Sequence, residues 1–171
     1  MIVVVLTGLP GTGKSTLAEE LARRLKAPAF AGDWLFGALK PFGVLSNLER
    51  ADSLELYHRL LWTLASRQLM LEQSALMDCI VDDARAAQWR EQAGLLGGRC
   101  FIVQCVCGDE AVHRRRVEGR ERGIPGWHEV GWDHVLRMRT QFPPLRSPDL
   151  EVDALNNLDD NVRAVLGLLE R

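Results

Sequence analysis

The sequence predicts an α/β fold: a three-layer α/β/α sandwich with a mostly parallel sheet of five strands. Two observations carry that expectation. Short apolar, β-branched runs alternate with longer segments of helical period along the whole chain, an order that builds βαβ units. The first run, Ile2-Val3-Val4-Val5-Leu6, is apolar without interruption, as a strand covered on both faces requires.

After that strand comes a Gly-rich turn. Ser15–Leu25 then places Leu17, Ala18, Leu21, Ala22 and Leu25 on one helical face. Ala27–Ala31 predicts a short second strand that ends at Gly32-Asp33, and Trp34–Leu39 follows as a short segment for which Asp33 is a candidate cap. Pro41–Ser46 predicts a loop. A long helix is expected from about Asn47 to Gln73, with an apolar stripe through Leu54, Tyr57, Leu61 and Leu64. Ala75–Val81 predicts the third strand, Ala84–Leu95 a helix, and Cys100–Val106 the fourth strand after the Gly97-Gly98 turn. Glu110–Arg122 is helical and basic. Gly123–Gly126 breaks it, and Trp127–Phe142 resumes helical character. Leu150–Leu155 predicts the fifth strand and Leu158–Leu169 the closing helix. Without a linker or repeat, residues 1–171 are expected to form one domain.

Composition narrows the class. The 171 residues are 47% hydrophobic and 26% charged, an ordinary globular balance, with a net charge of −2. A chain that wraps nucleic acid usually carries a positive excess, so a nucleic-acid partner is not favoured. The opening apolar run is too short for a signal-peptide core, and no run reaches the length of a membrane span. The four cysteines form no C-x-x-C pair, and Cys105 and Cys107 are expected on one strand face as reduced, buried thiols. These features fit a cytoplasmic protein. They give no reading of oligomeric state.

Gly8-Leu9-Pro10-Gly11-Thr12-Gly13-Lys14-Ser15 matches G-x-x-x-x-G-K-[ST] in full, between a strand and a helix. Glycines there let successive backbone N–H groups turn toward phosphate oxygens, and the helix start adds its positive dipole end. Lys14 reaches the β- and γ-phosphates. Ser15 is a ligand candidate for Mg²⁺, and Thr16 supports the loop. The nucleotide expected is ATP with Mg²⁺, on a P-loop NTPase fold of the nucleoside-monophosphate-kinase kind. The guanine-reading N-K-x-D and the D-x-x-G of switch GTPases are absent.

Three further features point to phosphoryl transfer. Asp33 follows the second strand, at the sheet edge where the P-loop opens, and is a candidate base for an attacking hydroxyl. Asp78 follows Ala75-Leu76-Met77 and is a candidate to hold Mg²⁺ through water; Asp82 and Asp83 are its rivals, and Arg85 is a candidate contact to acceptor or phosphate. Residues 113–122 hold five arginines, of which Arg116 and Arg120 are four apart and so share a helical face. With glycines at 119, 123 and 126, the stretch 109–127 reads as a mobile arginine lid.

In this order the residues resemble a group of small P-loop kinases that includes chloramphenicol phosphotransferase, zeta toxins and the kinase domain of polynucleotide kinases. The resemblance implies that Asp33 is the base, that Arg116 lies near adenine, with Arg114 its alternative, and that Arg120 lies near the transferred phosphate. It implies transfer of the ATP γ-phosphate to a hydroxyl of a small antibiotic, sugar-like or nucleoside-like acceptor. Trp34 and Phe36, with Phe42 and Trp62, are candidates for an apolar acceptor wall. Trp127, His128 and Trp132 have either a packing or a covering role, while Tyr57 and His58, on the long helix that borders the acceptor pocket in such kinases, are expected in a structural role. A polynucleotide 5′-hydroxyl or nucleotide acceptor is the enzymatic alternative, and an ATP-binding regulator the non-enzymatic one. Replacing Lys14 with Ala is expected to lower affinity for a fluorescent ATP analogue at least tenfold, about 1.4 kcal/mol, in an equilibrium titration.

Overall fold

The computed structural model describes residues 1–171 and contains one five-stranded sheet. Its strands are β1 (Ile2–Thr7), β2 (Ala29–Ala31), β3 (Ala75–Cys79), β4 (Arg99–Val106) and β5 (Leu150–Asp153). Their spatial order is β2-β3-β1-β4-β5, and all four pairings are parallel. Seven α-helices connect or cover them: α1 (Lys14–Leu25), α2 (Gly32–Leu39), α3 (Arg50–Met70), α4 (Asp83–Leu95), α5 (Glu110–Glu118), α6 (Trp132–Gln141) and α7 (Leu158–Leu169). The predicted three-layer α/β sandwich is therefore observed, with a sheet that is parallel throughout. No helix is long and apolar enough to cross a membrane.

Strand alternation explains the two cores. Val3 and Val5 of β1 and Met77 of β3 pack with Leu61, Ala65 and Trp89, which are carried by α3 and α4. Val4, Leu6 and Leu76 point the other way, onto Leu17, Ala18 and Leu21 of α1 and Val162 and Val165 of α7. Both faces of β1 are thus covered, which is why its sequence shows no polar alternation. The same parity sends Asp78, two residues beyond Leu76, to the α1 side of the sheet.

Several boundaries moved for identifiable reasons. α3 starts at Arg50 rather than Asn47, because Gly43–Asn47 is a run of turns and Glu49 remains extended as the N-cap. Lys40–Phe42 forms a 3₁₀ turn at the head of the predicted loop. α5 ends at Glu118 with Gly119 as its cap, so Arg120 and Arg122 lie beyond the helix. Residues 127–131 are not helical; α6 starts only at Trp132.

The cysteine expectation is also refined. Cys79, Cys100 and Cys105 are buried, but Cys107 lies past the end of β4 and is half-exposed, so it does not share a packed face with Cys105. Burial pushes the Cys100 and Cys105 thiols up to about 12, and Cys79 well above its ordinary value. Iodoacetamide at pH 8 should therefore modify one of the four cysteines in the native protein, Cys107, and all four after denaturation. Mass spectrometry showing rapid native labelling at Cys100 or Cys105 would contradict this packing.

Candidate active site

All five strands open toward one edge, and the charged groups collect there. β1 ends at Thr7 and the chain enters the phosphate-binding loop directly. Two of its glycines have different constraints. Gly11 has φ +88°, and a Cβ placed there would come within 2.5 Å of Val117 Cγ2. Gly13 has φ +77° and is the N-cap of α1, but a Cβ there would meet only Ala154 Cβ at 3.6 Å. The loop is braced from within and from α5. Thr12 Oγ1 donates to the Leu9 carbonyl at 2.8 Å, and the His113 ring nitrogen Nε2 donates to the Pro10 carbonyl at 2.8 Å. Burial lowers the His113 pKa, with the Pro10 hydrogen bond opposing the shift, so a neutral imidazole does the bracing. Trp132 stands edge-on against that ring at 5.1 Å.

Asp78 lies on β3 opposite Leu6 of β1 and Ala31 of β2, and it is buried. Burial pushes its carboxyl up, while the Lys14 ammonium and the Ser15 hydroxyl oppose that shift. A hydroxyl and a carboxylate are hard oxygen donors, the kind Mg²⁺ takes alongside phosphate oxygens and water. Asp78's rivals are engaged elsewhere. Asp82 caps α4 by accepting from the Arg85 N–H at 2.7 Å, and Asp83 accepts from the Arg146 N–H at 3.0 Å.

Asp33 is in the first turn of α2, whose N-cap is Ala31, so the capping alternative for this carboxylate does not apply. Its Oδ2 instead accepts from Arg122 Nη1. Arg122 is the residue that sequence reading missed. Glu129 also holds it: Oε1 accepts from the Arg122 backbone N–H at 2.8 Å, and Oε2 lies 3.3 Å from Nε. The one sequence clue was its place two residues past Arg120 in the basic run.

Arg120 is mostly buried, and its Nε and Nη2 have no hydrogen-bond partner. Burial and then the Arg122 charge lower its pKa, against the pull of Glu129, Asp33 and Asp78. Arg116 donates to the Ala154 carbonyl at 2.9 Å, joining α5 to the loop after β5. Arg114 is exposed and paired with Glu118, so Arg116 is the arginine that faces the loop.

Two cavities meet at this edge, each of about 490 Å³. One is bounded by Gly11–Leu17, Arg116 and the loop carrying Ala154 and Asn156. The other contains Asp33 and Asp78 and has apolar walls that include Trp34, Phe36, Tyr57 and Trp127. Lys14, Ser15, Thr16, Arg120 and Arg122 line both. Arg85 does not join them: its guanidinium is held by Glu55 at 2.6 Å and Gln88 at 2.8 Å, so the expected contact to an acceptor is corrected. Trp62 stacks on Trp89 in the core at 5.9 Å, and Phe42 is 81% exposed; neither forms the wall. The stretch at 125–129 takes a place that the sequence did not reveal. Gly126 lies against the Gly37 backbone, and Trp127 meets Phe36 edge-on at 6.1 Å.

A phosphate-binding loop after the central strand of a parallel α/β/α sheet, with an acid on the neighbouring strand, defines a P-loop NTPase fold. Within that class the chain belongs to the AAA domain family AAA_33, which matches residues 3–145. No curated protein sequence matches it. Its fold is similar to that of a sugar kinase from Janibacter, at 18% identity and a TM-score of 0.70 over 99% of this chain and 94% of that one. A gluconokinase from Sinorhizobium meliloti matches at 21% and 0.67, over 98% and 91% of the two chains. The APS kinase of Mycobacterium tuberculosis, in complex with AMPPNP and APS, matches at 22% and 0.59, over 99% and 97%. Similarity at these identities establishes the shared fold.

The two glycines separate conformational strain from collision. Gly13→Ala should weaken binding of a fluorescent ATP analogue by about fivefold to thirtyfold, the 1–2 kcal/mol of a left-handed non-glycine residue. Gly11→Ala adds the overlap with Val117 and should lose about tenfold more. Equal affinities for the two variants would refute the assignment of Gly11 to the α5 contact.

Proposed function

We propose that this chain is an ATP-dependent phosphotransferase acting on a hydroxyl of a small molecule. The observation that carries the reading is the meeting of two cavities at Lys14, Ser15, Arg120 and Arg122, with Asp33 in only one of them. Donor and acceptor would approach from opposite sides of a shared set of cations. The relation to chloramphenicol phosphotransferase and its group rests on the order P-loop, Asp33, Asp78, Arg116 and Arg120 in the sequence.

In this reading ATP occupies the cavity under Arg116, with adenine toward Ala154 and Asn156 and its phosphates on the Gly8–Thr16 loop. Ser15 and Asp78 would hold Mg²⁺, which would supply positive charge to offset that of the phosphates. Lys14 adds positive charge at the β- and γ-phosphates. Arg120 has two buried N–H donors free for the oxygens of the moving phosphoryl group. Asp33 takes the acceptor hydroxyl proton as the new P–O bond forms and the bond to the β-phosphate oxygen breaks. The catalytic power lies in holding two reactants in line and in fixed charge. Residues about 109–127 act as a lid over both cavities, within a single kinase domain. Trp34 and Phe36, joined by Tyr57 and Trp127, provide the acceptor wall.

Those apolar walls favour a small molecule over a polynucleotide, whose backbone would call for a basic channel. Asp33→Asn should keep ATP affinity and lose about 10²- to 10⁴-fold in transfer, the usual contribution of a general base. The measurement is an acceptor screen with labelled ATP across alcohols, sugars, nucleosides, aminoglycoside- and macrolide-like compounds and oligonucleotides. Transfer that persists in the Asn variant would remove Asp33 from the mechanism, and ATP binding without transfer to any acceptor would favour a regulator.

A further inference from the structure

Arg122 belongs to neither the phosphate-binding loop nor the Arg116–Arg120 pair, yet it is the group in contact with Asp33. One guanidinium is shared by two carboxylates that come from distant parts of the chain. Asp33 lies on α2, and Glu129 lies in the segment that Gly126 and Trp127 anchor across α2. The side chain of Arg122 is 18% exposed, and Arg120 stands beside it with the same charge.

We propose that Arg122 is a latch on Asp33 that decides between an acceptor hydroxyl and water. Resting on the kinase reading above, the inference concerns specificity rather than transfer itself. A carboxylate oxygen that accepts from a guanidinium has its lone pair engaged and aimed away from a nucleophile. Water is far more concentrated than any acceptor and fits wherever a hydroxyl fits. If Asp33 stood free whenever ATP was bound, it would activate water. The γ-phosphate would then pass to the water oxygen, the proton would go to Asp33, and ADP and inorganic phosphate would leave.

Glu129 makes the latch reversible. With Asp33 released, Arg122 keeps its backbone and Nε contacts to Glu129. Opening therefore breaks one contact of three and strands no buried charge. Water gains too little on entering to displace the guanidinium. An acceptor that fills the apolar wall at Phe36 and Trp127 brings binding energy of its own, and its body occupies the space beside Asp33.

The test needs no knowledge of the acceptor. ATP hydrolysis is measured by phosphate release with no acceptor present, for the wild type, Arg122→Ala, Arg122→Lys and Glu129→Gln. Arg122→Ala should raise the rate by up to about fivefold, the population shift that loss of one ion pair allows. Glu129→Gln and Arg122→Lys should each raise it by less, the latter because an ammonium cannot hold both carboxylates in the guanidinium's fork. Adding Asp33→Asn to Arg122→Ala should abolish the gain, which a merely loosened fold would not require. An Arg122→Ala rate equal to or below the wild type overturns the latch, as does a gain that survives Asp33→Asn. Failure of the kinase reading looks different: the wild type transfers phosphate to no acceptor in the screen, while the Asp33-dependent hydrolysis of Arg122→Ala still appears.

Discussion

The parallel direction of β1 and β3 governs the site. Because the two strands run side by side in register, Leu6 and Asp78 lie opposite one another, and Thr7 ends β1 one residue later. The chain must then reverse over the end of the sheet within a few residues to begin α1. That reversal is the phosphate-binding loop. Strand parity places Asp78 on the same side of the sheet as α1, so the acid meets Lys14 and Ser15 without any long side chain having to reach. An antiparallel β3 would send its far end, and its acid, to the other edge. The Thr7 hydroxyl secures the arrangement by accepting the Val81 N–H at 3.1 Å, which ties the exit of β3 to the exit of β1.

Lys14, Arg120 and Arg122 face Asp33, Asp78 and Glu129 at this edge, and of the three cations only Arg122 is hydrogen-bonded to acids. Arg120 has lost water without gaining partners at two of its nitrogens, and each such N–H costs about 1–3 kcal/mol. An anion with several oxygens removes it. The unpartnered donors suit a ligand with several acceptor oxygens at the place where the two cavities join.

Legibility in the sequence follows the range of the interactions. Every strand and the P-loop could be read, because each is set by neighbours a few residues away. Asp33 was legible as a candidate for the same reason: it directly follows a strand. Arg85 was misread because nearness in sequence to Asp82 and Asp83 stood in for nearness in space; α4 turns its guanidinium toward Glu55 on α3. Arg116 and Arg120 were expected on one helical face, but Gly119 ends the helix between them, and Arg120 reaches the site from beyond it. Arg122 shows the limit most clearly. Its partner is 89 residues away, and no periodicity or spacing encodes such a pairing.

This difference in range also divides the two halves of the site. The phosphate-binding loop is one continuous segment, Gly8–Thr16, whose geometry is fixed by backbone conformation and by the sheet behind it. The cavity with Asp33 is walled mainly by α2, α3, the segment after α5 and α6, with Ala31 of β2 and Asp78 of β3 as its sheet residues. Those segments meet through side-chain contacts such as Phe36 with Tyr57 and with Trp127. Substitutions there alter the wall without disturbing strand register or the phosphate loop. The fold is shared with proteins that keep only about a fifth of these residues, the gluconokinase and the APS kinase among them. The Arg122 contact joins two parts of the chain: its anchor Glu129 lies in the segment after α5, and its target, Asp33, lies just past β2 at the edge of the sheet. In the proposed reading, a latch placed there would let the cavity wall control Asp33 without any change in the Gly8–Thr16 loop.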